Sequence, residues 1–201
     1  MKKLLLIPLA MAVLLTGCAG GGDKKAEESA APAHQVAPLT LSEEESALLD
    51  LIAGTDGEYG LYACTLGEHM IGCTIEVLSW EDGAWQTLAE GGLSVVNGGE
   101  LRLGIVLSGS KITVNFQDGI GGQYSYAPQV EGMDRDADSG RSWVWMDAPQ
   151  ELTIWERVPL YLEVYDSGDG VRSATLPDTF TNAGQLNSYD RAYAVALTVE
   201  G

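Results

Sequence analysis

The sequence predicts a mainly β fold, either an antiparallel β-sandwich or a partly closed barrel, with one short N-terminal helix. After Gly54 the chain consists of short runs rich in Val, Ile, Leu, Thr, Tyr and Trp, which is typical of strands. Turn-forming residues such as Asn97-Gly98-Gly99 and Asp118-Gly119 separate these runs. Hydrophobic residues make up 45% and charged residues 20% of the chain, so a packed domain is expected rather than a disordered one.

The predicted helix covers residues 40–54. Ser42 suits the N-cap position, and Glu45 follows at the spacing of a capping box. Gly54 suits the position after the helix C-terminus. The apolar face consists of Leu48, Leu49, Leu51 and Ile52. We expect this face to pack at the edge of the domain nearest the membrane.

The predicted strands follow in order along the remaining chain. They cover residues 59–66, 73–80, 85–89, 101–107, 111–116, 143–146, 152–155, 160–165 and 193–199. Short strands separated by turns favour antiparallel pairing in a sandwich or a partly closed barrel. A break near residues 130–140 indicates either a division of the sheet into two halves or a long loop.

The N-terminus has the pattern of an export signal. Lys2 and Lys3 precede an apolar run at residues 4–15, which is shorter than the roughly 20 residues that a membrane-spanning helix needs. The following Leu15-Thr16-Gly17-Cys18 resembles the lipobox of bacterial lipoproteins. The resemblance implies cleavage before Cys18 and attachment of a diacylglycerol to its sulfur. An ordinary secretory signal or an uncleaved hydrophobic anchor is the alternative.

The residues between the lipobox and the helix offer little apolar surface to bury. Residues 18–39 include Gly20-Gly21-Gly22, Pro32 and Pro38, a composition that predicts a flexible tether. The predicted organisation is a signal peptide at 1–17, a tether at 18–39 and a β-rich extracytoplasmic domain at 40–201. The lipid would hold this domain on the cell membrane or the outer membrane.

The charge balance limits the expected partners. The chain has 11 Lys and Arg against 29 Asp and Glu; cleavage would remove Lys2 and Lys3, leaving 9 minus 29, a net charge of −20. Such a surface repels nucleic acid phosphates and anionic lipid headgroups, which argues against both as direct ligands. The expected partners are the membrane, through the lipid anchor, and a glycan or protein of unknown identity.

Cys64 and Cys73 are predicted to lie opposite each other in a hairpin. If Leu66 pairs with Ile71 across a turn, the two cysteines become cross-strand neighbours, close enough for a disulfide in an oxidising compartment. Two buried free thiols are the alternative.

Asp134, Asp136 and Asp138 stand at alternate positions, the spacing at which calcium loops present oxygen ligands. The segment departs from an EF-hand loop because Ser139 stands where glycine is required and Trp145 where an acidic residue is required. Solvated turn residues are the alternative to a calcium site, and no other cofactor is expected.

Trp143 and Trp145 are the candidate ligand-binding residues. They are two positions apart, so a strand would place them on one face, where exposed rings could stack on a sugar. Buried rings would instead form the core face of the sheet.

No catalytic motif stands out in the sequence. Neither of the two histidines has a metal-ligand spacing, and no nucleophile elbow or phosphate loop is present. The prediction is therefore a non-catalytic, lipid-anchored surface, binding or envelope-associated module. Carbohydrate binding through the tryptophans is the first alternative, and a small hydrolase with an unrecognised carboxylate pair is the second.

Overall fold

The computed structural model describes residues 34–53, 58–94, 98–109, 111–128, 130, 140–168 and 172–201. The predicted signal peptide, Cys18 and most of the predicted tether lie outside these residues. In the described part the fold is mainly β, with two antiparallel sheets and few helices. The predicted fold class is confirmed, and of its two alternatives the structure is consistent with the sandwich. No helix among the described residues is long and apolar enough to cross a membrane.

The elements follow one another in this order: β1 (Gln35–Pro38), α1 (Glu43–Ala53), β2 (Glu58–Leu66), β3 (Gly72–Glu81), β4 (Ala84–Ser94), β5 (Gly99–Ser108), β6 (Lys111–Asp118), β7 (Gln123–Tyr126), β8 (Gly140–Trp145), β9 (Gln150–Glu151), β10 (Arg157–Asp166), α2 (Asp178–Thr181), α3 (Ala183–Leu186) and β11 (Arg191–Glu200). The six-stranded sheet has the order β7-β6-β5-β2-β1-β9, and the five-stranded sheet has the order β4-β3-β11-β10-β8. Each sheet contains strands from both sides of residues 130–140, so of the two alternatives for this break the division of the sheet is wrong.

The main core lies between the two sheets because successive side chains of a strand point to opposite faces. In β5 every second residue is buried, and these residues are Leu101, Leu103, Ile105 and Leu107. Burial of one such side chain stabilises the fold by about 1.5–3 kcal/mol. The same alternation leaves the other face of β5 directed away from the core.

All predicted strands but one correspond to an observed strand, with shifted bounds. The exception is 152–155, where Ile154 forms a single bridge to Val199 and Trp155 has a φ of 67°. This left-handed backbone conformation is unfavourable for a tryptophan and interrupts an extended strand. The short strands β7 and β9 are not among the predicted ones.

The folded domain begins earlier than predicted, because residues 35–38 form β1 instead of part of a tether. Val36 is fully buried and is paired with Cys64 of β2. The backbone pairing of β1 with β2 extends one residue beyond β1, because Leu39 N–H donates to Leu61 O at 2.8 Å. The sequence signal is weak because β1 contributes one buried apolar side chain, and its pairing depends on strands β2 and β9.

Helix α1 is confirmed, including its capping box. Ser42 N–H donates to Glu45 Oε2 at 2.8 Å, and Glu45 N–H donates to Ser42 Oγ at 3.3 Å. The hydrogen bond from the Ser42 backbone, together with one from its side chain, holds the pKa of Glu45 below its ordinary value. The N-terminus of the helix is therefore fixed by local contacts.

A second apolar cluster covers the outer face of the five-stranded sheet. Residues 172–190, which include α2 and α3, place Phe180 and Leu186 against Leu162 and Val164 of β10. The Phe180 ring stacks on Trp85 of β4, with 4.9 Å between the ring centroids and 18° between the planes. Strand β10 is consequently buried on both faces.

Candidate functional site

A polar group of side chains extends between the two sheets, and we call it the Glu163 cluster: Glu58, Arg141, Tyr161, Glu163 and Tyr165. Alternation along β10 directs its Tyr161, Glu163 and Tyr165 toward the core between the sheets. Arg141 of β8 is the cross-strand partner of Tyr165. Glu163 has an exposure of 0%, so its carboxylate is removed from solvent.

Hydrogen bonds engage both oxygens of Glu163. The Tyr165 hydroxyl donates to Oε1, and the Tyr161 hydroxyl donates to Oε2. Arg141 Nη2 donates to Glu163 Oε2 at 3.1 Å and to Glu58 Oε1 at 2.7 Å. One guanidinium therefore links a buried carboxylate of the five-stranded sheet to β2 of the six-stranded sheet.

The charge of Arg141 is stabilised by its partners. Burial acts to lower the pKa of Arg141, but the hydrogen bonds to Glu163 and Glu58 outweigh burial and hold the pKa above its ordinary value. A buried charge is costly unless it is paired. The cluster thus differs from a hydrolytic carboxylate pair at an open cleft, because Glu163 is enclosed and hydrogen-bonded within the protein. Its geometry suits an internal link between the sheets.

A second ion pair lies in the five-stranded sheet. Arg157 donates to Glu76 through Nε at 2.9 Å and through Nη2 at 2.7 Å, and the hydroxyls of Thr87 and Thr198 also donate to this carboxylate. The Arg157 hydrogen bonds are the largest cause of a lowered pKa of Glu76. These four residues come from the adjacent strands β4, β3, β11 and β10, so their hydrogen bonds stabilise the register of these strands.

Trp143 and Trp145 share one face of β8, as the sequence predicts, but their surroundings differ. Trp145 packs on Tyr161, with 4.5 Å between the ring centroids. It also covers Gly60, where an added Cβ would lie 2.5 Å from the indole ring. Trp143 is 48% exposed, and the Arg141 guanidinium lies over its ring at 4.4 Å. This geometry favours a core role for Trp145 and leaves Trp143 as the exposed member of the two, rather than a coplanar exposed pair.

The predicted hairpin between Cys64 and Cys73 is wrong, and both cysteines are free and buried. Strand β2 pairs with β1 and β5, whereas β3 pairs with β4 and β11. The segment between them passes from one sheet to the other, so the thiols belong to opposite sheets of one core. Burial raises the pKa of each thiol to about 12, and the nearby Cys73 adds to the effect on Cys64.

Both thiols are expected to resist iodoacetamide in the folded protein at about pH 8, because only the exposed thiolate reacts readily. In denaturing urea Cys64 and Cys73 should each gain one carbamidomethyl group. Intact mass spectrometry before and after unfolding measures the difference. A pair that resists alkylation in urea until a reductant is added would contradict the free-thiol structure.

Asp134, Asp136 and Asp138 lie outside the described residues, so the calcium site stays a prediction. Within the described ranges, no group of three His, Cys, Asp or Glu side chains is arranged to hold a metal ion.

A groove of about 700 Å³ runs between α1 and the outer face of the six-stranded sheet; we call it the α1 groove. Apolar side chains dominate its walls, with Leu49 and Ile52 on α1, Leu61 and Val106 on the sheet, and Leu39 directly after β1. The remaining lining includes the amides Asn115, Gln117 and Gln123, with Tyr124 and Arg102. The groove is therefore a mainly apolar concavity with a few polar groups, as is usual for small-molecule sites.

The groove stays open because α1 contacts the sheet through few side chains. The Tyr59 hydroxyl donates to Asp50 Oδ1 at 2.9 Å, and Leu49 is half-buried. Leu51 and Ile52 are each 80% exposed. The expectation of a packed apolar face on this helix is thus wrong for most of its residues, because the helix stands over the groove instead of filling it.

Arg102 of β5 lies where the α1 groove meets a second concavity of about 380 Å³, which we call the polar cleft. Glu100 and Asp118 line the polar cleft together with Thr65 and Gln117. Arg102 is exposed and forms no ion pair with any residue that the structure describes. A cation without an ion pair is notable in so acidic a chain, and no sequence pattern marks this residue.

No protein-family model matches the chain, and no curated protein or solved structure is significantly similar to it.

Proposed function

We propose that this chain is a bacterial lipoprotein anchored through Cys18, and that its β-sandwich is a non-catalytic binding module acting outside the cytoplasm. The observation that carries the binding role is the α1 groove. Its volume of about 700 Å³ lies within the usual range of ligand sites, and apolar side chains beside it remain exposed. Exposed apolar surface around a concavity favours occupation by a ligand.

The lining of the α1 groove supports binding over acid–base catalysis. Its polar groups are Arg102, amide side chains and the hydroxyls of Tyr124 and Ser125, and none of the lining residues is an Asp, Glu, His or Cys. General acid–base chemistry most often uses one of those four side chains. Of the two carboxylates in the Glu163 cluster, Glu163 is enclosed within the core and Glu58 is partly exposed, and Arg141 donates hydrogen bonds to both.

The anchor is tested by replacing Cys18 with alanine in the full chain. The variant should lose incorporation of an alkyne-labelled fatty acid and accumulate as an unprocessed or soluble form, because the sulfur that carries the lipid is gone. Gel fluorescence after click labelling and membrane fractionation measure both effects. The matched control, Cys64→Ala, should keep the label; unchanged labelling of Cys18→Ala would refute the anchor.

A further inference from the structure

We propose that the α1 groove and the polar cleft together bind a zwitterionic single-chain lipid, with its acyl chain in the groove, its phosphate on Arg102 and its ammonium group toward Glu100. This inference rests on the proposed binding function and names the ligand class. It follows from the order in which apolar, positive and negative side chains occur along the outer face of the six-stranded sheet.

The apolar part of the site suits one acyl chain. Leu61 and Val106 form part of the sheet side, and Leu49 and Ile52 face them from α1. An acyl chain in the groove would contact these aliphatic side chains. Its removal from water would favour binding. The volume of about 700 Å³ falls in the range of sites for one small ligand.

The charged groups follow in the order that a zwitterionic headgroup requires. Arg102 lines both concavities, whereas Glu100 lines the polar cleft but not the α1 groove. The two residues share one face of β5, two positions apart, which separates their Cβ atoms by about 7 Å. Arginine is well suited to phosphate oxygens, and a carboxylate attracts an ammonium group.

A ligand that carries only a negative charge fits less well. Glu100 and Asp118 line the polar cleft together with Arg102, and the chain carries 29 acidic against 11 basic residues. These charges repel a lone anion but favour the ammonium group of a zwitterion. Asp118 Oδ1 already accepts hydrogen bonds from Gly122 N–H at 2.6 Å and Ile120 N–H at 3.2 Å, so we assign the ammonium group to Glu100.

The test uses membranes from cells that make the full chain. Three photoreactive probes share one diazirine-bearing acyl chain with a terminal alkyne: lysophosphatidylethanolamine, the free fatty acid and the uncharged monoacylglycerol. We expect light-dependent adducts of the first probe on peptides that line the α1 groove, located by mass spectrometry. The fatty acid and the monoacylglycerol should label these peptides several-fold less.

Three variants give the decisive comparison. Arg102→Gln should lower labelling by lysophosphatidylethanolamine about tenfold, since a charge-assisted phosphate contact is lost. Glu100→Gln should lower it several-fold while leaving fatty acid labelling unchanged or higher. Lys111→Gln removes the same charge from the same face of the sheet, outside both concavities, and should change nothing.

The outcomes separate this inference from the proposed function. Equal labelling by all three probes, or labelling by lysophosphatidylethanolamine that Arg102→Gln leaves unchanged, would overturn the zwitterionic ligand and retain an apolar binding groove. Stronger labelling by the free fatty acid than by lysophosphatidylethanolamine would likewise overturn the inference, because the ligand would then be a simple anion. If none of the probes labels the groove peptides, the inference is overturned, and the binding role assigned to the groove loses its support.

Discussion

Replacing Arg141 with methionine should lower the free energy of unfolding by about 3–5 kcal/mol, because it leaves a buried charge without its cation. Arg141 donates to Glu163, whose exposure is 0%, and to Glu58 of the opposite sheet. Methionine keeps much of the side-chain volume but supplies no donor. Urea denaturation followed by tryptophan fluorescence measures the change.

Two further variants show whether the loss comes from the buried charge. Glu163→Gln in the Arg141→Met background should recover a large part of the stability, since the amide carries no charge. Arg172→Met breaks an ion pair to Asp166 that is more exposed, with the Arg172 side chain 55% accessible. Such a partly exposed pair contributes less to stability than a pair with a fully buried carboxylate. If Arg141→Met costs no more than Arg172→Met, the Glu163 cluster does not link the sheets energetically.

Local sequence patterns account for the parts of the fold that could be predicted. The capping box of α1 depends on Ser42 and Glu45, three positions apart, and it forms as expected. The strands were recognisable because their residue types and bounding turns are local. Which sheet each strand joins was not predictable, and for this reason the expected hairpin of Cys64 and Cys73 failed.

The candidate sites depend on contacts between residues that are distant in sequence. Arg141 meets Glu58 at a separation of 83 residues. One signal was available for the cluster: Glu163 is a lone carboxylate in the otherwise apolar center of β10, which indicates a buried charge with a partner. No comparable signal marks Arg102, because the groove beside it exists only where α1 lies over the six-stranded sheet.

Replacing Phe180 with alanine should cost about 3–5 kcal/mol of stability, because it removes a buried ring and leaves a cavity. Phe180 is 6% exposed and stacks on Trp85, whose Nε1–H donates to Phe180 O at 3.0 Å. Urea denaturation should show the loss, together with a changed emission of the native state as Trp85 becomes more accessible. The sequence predicts no helix or strand in residues 172–190, so the variant tests whether this segment packs on the five-stranded sheet.

The matched control is Ile120→Ala, which removes a large apolar side chain that is 96% exposed and should change stability by at most about 0.5 kcal/mol. A loss for Phe180→Ala as small as that of the control would mean that residues 172–190 do not pack on the sheet. A large loss would instead explain why β10 tolerates apolar residues on both faces. Its Leu162 and Val164 need this cover, just as its Tyr161 and Tyr165 need the opposite sheet.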